Sequence, residues 1–411
     1  MVHADKYLEI NIKGLKHEKE PIRCLGIYVG HDKDKCEDFN WKEKIKKMEK
    51  LLKSWEYRNL TLFGKVVIIK SLAISSLVFS AMNTTTSKWA IHSINNIIYN
   101  FLWKGHDKVK RKTIIGGIED GGLNMVEIDS FFKLLKAGWA ARILNNQNQE
   151  ANWSFIGNSL FKQIGLDKTI FGINDNTFYK HVVCSKLPEF YKQVIEGYCS
   201  CNNINYPSTH DELMNTSIWG NNTFLNKSKN IIYFPEWIKS GVVYVKDLQF
   251  QNNILDEKYI HRTIHKRTNI FSEIFQLKSA LAIYKHIINT NIPNKENNIN
   301  INIVSLPKFY YHSLIQEIFK KPISENKWLQ QFRLNTYDFT STYITKIKKI
   351  RDKKIAEFNY KLIHRIIPCK YKLQKWGLTN NNACFFCGQI ETVEHMLFLC
   401  ENVRYMEDIP Q

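Results

Sequence analysis

Apolar side chains along this 411-residue chain recur mostly at helical spacing. The start is different. Leu8, Ile10 and Ile12, then Cys24, Leu25, Ile27 and Val29, alternate weakly within residues 5–30, which predicts a short hairpin or strand pair. From Trp41 the period becomes helical: Ile45, Met48, Leu52 and Trp55 share one face, and Lys46, Lys47, Lys50 and Lys53 crowd the other. Thr61 is placed to cap a second, more apolar helix reaching about Met82, and a third covers about Trp89 to Trp103, ending near Gly105. A glycine-rich turn from Gly116 to Gly122 lacks the Gly-x-x-x-x-Gly-Lys of a phosphate loop, and an amphipathic helix follows over about Ile128 to Asn145.

Residues 146–290 mix short helical stretches with loops rich in Asn and aromatics. Asn289 to Asn302 is almost all Asn, Ile and Lys and reads as a flexible linker. A basic helix is then expected from about Tyr343 to Ile366, with Ile344, Ile347, Ile355, Phe358 and Leu362 on one face and Lys346, Lys349 and Lys353 opposite.

The tail carries the most specific pattern. Cys384 and Cys387 form a Cys-x-x-Cys pair, and His395 and Cys400 follow within the same seventeen residues. Zn2+ takes four soft or borderline ligands at tetrahedral corners, and this Cys3His set fills all four. A catalytic zinc would keep one position for water, so the ion expected here is structural. The His-x-Glu and Pro-Cys-x-x-Cys elements of zinc deaminases are absent. Gly388 suits the positive-φ position of the turn, and a short helix over Thr392 to Phe398 would return His395 and Cys400 to the metal.

Charge adds a partner. The formal net charge is +19, which favours a polyanion, because neutralising phosphates releases counterions. Nine Lys/Arg stand against three Glu between Trp41 and Lys70, and five against one Asp between Lys104 and Lys112. From Lys346 to Lys375 there are eleven against two acids, just before the Cys-x-x-Cys pair. Any one such run is ordinarily a solvated helix face. Their interleaving with Trp41, Trp55, Trp89, Trp103 and Trp139 points instead to RNA or DNA, with cations for phosphates and rings for bases. The candidate contacts are Lys46, Lys50, Lys53, Arg58, Lys65, Lys110, Arg111, Lys346, Lys349 and Lys353. Nine cysteines, an odd number, fit a reducing compartment, hence cytoplasm or nucleus. A Cys199/Cys201/His210 metal grouping is weak beside ordinary thiols. Met1 is followed by no apolar signal run, and Val66 to Met82 is interrupted by Lys70 and several serines. That stretch is also shorter than the roughly 20 residues of a spanning helix, so no membrane partner is expected.

Three blocks together resemble the C-terminal part of LINE-type non-LTR retrotransposon reverse transcriptases. The first comprises Leu25-Gly-Ile-Tyr28, Trp41, Leu60-Thr-Leu-Phe-Gly-Lys65, Ile69-Lys70-Ser71, Phe101-Leu-Trp103 and Gly121-Gly-Leu-Asn-Met125. The second comprises Ile218-Trp-Gly-Asn-Asn222, Trp237-Ile-Lys-Ser-Gly241 and Lys246-Asp-Leu248; Phe358 to Cys400 is similar to the zinc-binding domain that closes such proteins. The resemblance implies a mainly α chain in four parts. Residues 1–30 would be a remnant of palm strands, 31–145 a thumb-like helical bundle, 146–340 a mixed α/loop connector, and 341–411 a basic helix with the zinc knuckle. The strands would then lack sheet partners and be weakly ordered. The sequence departs from polymerases in one respect. It holds no Asp-Asp dipeptide for two catalytic metals, and the fingers and most of the palm have no counterpart. The chain is therefore expected to bind nucleic acid without catalysis; the alternatives are a piece completing a polymerase supplied by an upstream segment, or a relic frame with no selected role.

Overall fold

A computed structural model describes residues 20–144, 152–163, 187–201, 207–251, 254–264, 270–288 and 307–402. The strand positions before residue 20 and the Asn-rich linker at 289–302 lie outside these. The described residues are mainly helical, with two small antiparallel hairpins. They form two compact units that each gather stretches distant in sequence. One unit is Met1–Lys42, Val78–Lys88 and Ile128–Leu314; the other is Glu43–Leu77, Trp89–Glu127 and Ile315–Gln411. These units cut across the four consecutive segments expected from the sequence.

In the first unit, strands Ile22–Cys24 and Ile27–Val29 pair around Leu25 and Gly26, both at positive φ. Two-residue turns of that handedness match the twist of the flanking strands. The hairpin is formed even without further sheet partners. Asn40, on helix Lys33–Glu56, accepts from the Tyr28 N–H at 2.7 Å and donates to its carbonyl at 2.9 Å.

Helix Ile128–Leu144 packs on helix Glu189–Cys201, where Gly197 lets the Lys133 carbonyl approach: a Cβ would sit 2.3 Å from it. Lys136 from the same helix is buried, donates to the Thr84 carbonyl and lies 4.2 Å over the Phe190 ring. Burial pushes its pKa down to about 7. Trp139 donates to the Met82 carbonyl at 2.8 Å and Trp41 to that of Thr85 at 2.7 Å.

A separate core in this unit is built on Trp219 and Trp237, whose rings meet edge to face at 5.7 Å. Each indole N–H is satisfied, by the Val242 carbonyl at 2.7 Å and by the Glu273 carboxylate at 2.8 Å. Asp247 accepts from the Val243 and Tyr244 N–H groups. The blocks at 218–222, 237–241 and 246–248 thus supply packing and turns. Cys199 is buried in a hydrophobic cluster.

Most of the apolar helix lies in the second unit. It runs from Leu62 to Asn83, with Thr61 accepting from the Gly64 N–H as its cap. It ends within a residue of the expected Met82, and at 22 residues and mean hydropathy 1.9 the whole helix, unlike its Val66–Met82 stretch, is long and apolar enough to cross a membrane by length and composition. Its Ile69, Ala73, Leu77 and Ala81 are nevertheless fully buried inside the protein. The helix widens between Ile69 and Ile74, where Ser71, Ser75 and Ser76 hydroxyls donate back to preceding carbonyls.

Two lysines tie this helix to its neighbours. Lys65 donates at 3.0 Å to the Phe101 and Leu102 carbonyls, which close helix Lys88–Trp103 and have no partner further along it. Lys70 donates to the Asn124 carbonyl at 2.8 Å. Burial, with Lys104 adding, pushes Lys65 down to about 8. Gly122 is held against the Gly116 carbonyl, which a Cβ would meet at 2.0 Å, and Gly121 takes φ +79°. The glycine-rich stretch is therefore a tight structural turn.

The expected basic helix is broken in two. Phe339–Tyr343 continues helically through Lys348, the chain opens at 349–352, and Asp352 caps a new helix, Lys353–Ile363, by accepting from the Lys354 and Ile355 N–H groups. The break turns the second half, so the apolar face is not the one expected. Ile355 and Phe358 are half exposed, while Ala356, Tyr360 and Ile363 are buried. Tyr360 and Tyr343 flank His364, at ring distances of 4.2 and 6.1 Å. The Tyr343 hydroxyl donates to Glu325 at 3.0 Å.

Two outcomes are expected. Lys65→Met, which leaves two helix-end carbonyls unpaired, should lower unfolding stability by about 1–3 kcal/mol in denaturant melts. His364 is held at about 4 by burial, against 6.5 unfolded. Its contribution is therefore present above about pH 6.5 and lost as pH falls through about 4; between pH 7 and pH 5 the wild type should lose about 2 kcal/mol more than His364→Phe. Urea melts of both at the two pH values read the difference, which cancels any acid sensitivity common to the two chains.

Candidate metal centre

The Cys-x-x-Cys pair sits on a tight turn. Ala383 pairs with Ile390, the Cys384 N–H donates to the Gln389 carbonyl, and Gly388 donates to the Cys384 carbonyl from φ +72°. That turn points Cys384 and Cys387 to one side. Across from it, His395 begins a wide helical turn ending at Leu399. The Thr392 hydroxyl accepts from the His395 N–H at 3.1 Å and so caps the start of that turn. The Cys400 N–H donates to the His395 carbonyl, which brings the last thiol back beside the ring.

The four ligand atoms lie within 4.8 Å of one another, with Cys384, His395 and Cys400 buried. Cys384 Sγ is 3.9 Å from Cys400 Sγ, and Cys387 Sγ is 3.0 Å from His395 Nε2. Tetrahedral bonds of about 2.3 Å to sulfur and 2.0 Å to nitrogen require edges of roughly 3.5–3.8 Å, so the donors surround a Zn2+-sized centre. Burial pushes the Cys384 thiol up. The Phe386 and Cys387 backbone N–H groups, with His395, more than offset it and hold the thiol at about 6, in the range of a ready thiolate. Among the described residues this is the one group of three or more such side chains able to hold a metal. Its donors are those of a structural zinc site with all four positions filled by protein.

The centre is braced by residues that the sequence pattern does not single out. Arg365, at positive φ, pairs with Glu394, the residue beside the histidine ligand, and its guanidinium lies 4.9 Å over the Trp328 ring. Trp328 comes from helix Ile323–Phe332, donates to the Ile363 carbonyl at 2.7 Å, and packs with Cys369 and Val393. Glu391 accepts from the Lys370 N–H at 2.9 Å, and Lys370 Nζ donates to the Ala383 carbonyl at 2.8 Å. Helix Lys370–Lys375 is thereby fastened to the knuckle. Sequence offers little sign of this, because Arg365 and Glu394 are twenty-nine residues apart and Trp328 lies more than fifty residues before the first ligand.

All ten residues singled out for nucleic acid fall in the second unit, as do the four zinc ligands. Lys46, Lys50, Lys110, Lys346 and Lys349 are exposed. Lys53 is exposed and pairs with Glu49 at 2.7 Å; Arg58 is exposed and rests 4.6 Å over Trp55. Arg111 pairs with Asp107 at 2.7 Å over the Tyr99 ring, and Lys353 donates to the Ile350 carbonyl at 3.0 Å. Lys65 departs from the expectation. It is buried and committed to two carbonyls, so its charge ends a helix instead of meeting a phosphate. Of the tryptophans, Trp41 and Trp103 are core, and Trp139 is partly buried with its N–H spent on a carbonyl.

Metal removal or Cys384→Ser should unfold the tail around the knuckle, since on the order of 10 kcal/mol of ligand-binding free energy leaves with the ion. The expected readout is one zinc per chain by elemental analysis and proteolytic cutting after about Trp376 only in the stripped or substituted protein. A metal-free tail that stays resistant would contradict the assignment.

A family model described as zinc-binding in reverse transcriptase matches residues 324–406. No curated protein matches the chain. The matched segment runs from helix Ile323–Phe332, which supplies Trp328, past the last ligand, Cys400. The C-terminal region of this chain is a reverse-transcriptase-associated zinc-binding region.

Proposed function

We propose that this chain is the non-catalytic C-terminal portion of a LINE-type reverse transcriptase, binding RNA or DNA through basic helical surfaces beside a structural zinc knuckle. The observation that carries this is the exposure of Lys346, Lys349 and Lys353 within the matched zinc-binding region, on the segments that precede its ligands. Lys46 and Lys50, on helix Lys33–Glu56, extend the same chemistry. Ammonium groups on exposed helical turns suit a phosphate backbone, whose neutralisation supplies affinity without reading sequence. The LINE assignment rests on the order of the three sequence blocks, with residues 31–145 in the thumb's place. Lacking an Asp-Asp pair, the chain would hold template or target for a palm carried by an upstream segment. Free thiols at Cys36 and Cys369 favour the reducing cytoplasm or nucleus.

Fluorescence anisotropy of a labelled RNA strand against the zinc-loaded chain tests the reading. Affinity should fall linearly with salt on a log–log scale. Lys346→Glu/Lys349→Glu/Lys353→Glu should weaken binding across sequences and reduce the slope by about 0.7 for each phosphate no longer neutralised. Salt-independent affinity, or no binding in dilute buffer, would remove the basis of the proposal.

A further inference from the structure

The two residues between the knuckle cysteines lend the metal site a backbone N–H but no side chain. Phe385 and Phe386 are 85% and 61% exposed, although each is a large apolar ring inside a tightly built turn. They stand edge to face, with centroids 5.5 Å apart and planes at 86°. The turn that presents them is fixed from several sides. The thiols before and after them face the metal, the Asn402 amide donates to the Phe386 carbonyl at 3.1 Å, and Lys370 Nζ holds the Ala383 carbonyl. Exposed rings on a rigid turn keep their solvent-facing area without the entropy loss a flexible loop would suffer on binding. Of the lysines on the helix fastened to this turn, Lys370 and Lys372 spend their ammonium groups on backbone carbonyls and Lys375 is exposed, at the end of the stretch with eleven basic residues and two acids. Aromatic faces beside cations are what unpaired bases use, because every base has a face to stack while its phosphates seek positive charge. A paired base hides its faces from such a ring.

We infer that Phe385 and Phe386 form a base-stacking site that makes the zinc region a binder of single-stranded nucleic acid. This deepens the proposed nucleic-acid binding and rests on it.

The test uses the full zinc-loaded chain, a short mixed-sequence single strand and the matching blunt duplex. Phe385→Ala/Phe386→Ala should weaken single-strand binding on the order of tenfold or more, leave duplex binding unchanged, and keep the salt slope of the wild type. Phe386→Trp should retain affinity, and its fluorescence should be quenched on adding the single strand. Zinc content and far-UV spectra matching the wild type establish that the variants are folded. Unchanged single-strand affinity in the double alanine variant, while the Lys346/Lys349/Lys353 reversal still weakens binding, would overturn this inference alone. Absence of binding to any strand by the wild type would overturn the proposed function with it. If the double variant instead loses only sedimentation with phosphatidylserine vesicles, the rings serve a membrane surface and the inference fails.

Discussion

The C-terminal region depends on four side chains drawn to within 4.8 Å of one another. Tyr343, Ile347, Tyr360 and Ile363 are buried earlier in the region, but the apolar cluster beside the ligands is slight: Trp328, Cys369 and Val393, with Phe339, Leu362 and Leu397 at the margin. So few apolar groups cannot offset the entropy of ordering the segment, and small modules of this kind rely on a metal. The tetrahedron needs a closed turn at one end and a returning helix at the other. Gly388 at positive φ supplies the first, and the Thr392 cap and wide turn from His395 supply the second. The Arg365–Glu394 pair sits beside the histidine ligand and links the metal's outer surroundings to Trp328. Such outer partners fix ligand orientation.

The sequence blocks before the zinc-binding region have structural roles. Thr61 caps a helix, Lys65 closes another, and Lys70 holds the carbonyl of Asn124 in the glycine-rich turn. Three sequence-distant stretches are thus joined through two lysine ammonium groups. An unpaired carbonyl at a buried helix end costs about 1–3 kcal/mol, and one lysine here meets two. In the first unit Trp219, Trp237 and Asp247 likewise organise packing and a turn.

Much of the local structure is legible in the chain. Helix Lys88–Trp103, helix Ile128–Leu144 and the Thr61 cap follow the spacing of apolar residues and cap chemistry. The first hairpin survives because Asn40 satisfies both backbone groups of Tyr28, a contact between residues twelve apart that alternation cannot show. The basic stretch after Tyr343 departs from a single helical period at Asp352, whose preference for capping outweighs continuity. The tryptophans read as ring partners for bases are partly core: an apolar ring beside lysines in sequence carries no mark of which side will be solvated.

The amino-acid sequence alone determined the zinc ligands, because Cys-x-x-Cys, His and Cys within seventeen residues meet a coordination demand that is local. It also determined the excess of positive charge. Only the tertiary structure decided where that charge goes. Lys65 and Lys136 are buried on carbonyls while Lys46, Lys346 and Lys349 face water, and the five are chemically identical side chains. The difference lies in which helix end or loop carbonyl packs within reach, and that is settled by partners far away in the chain.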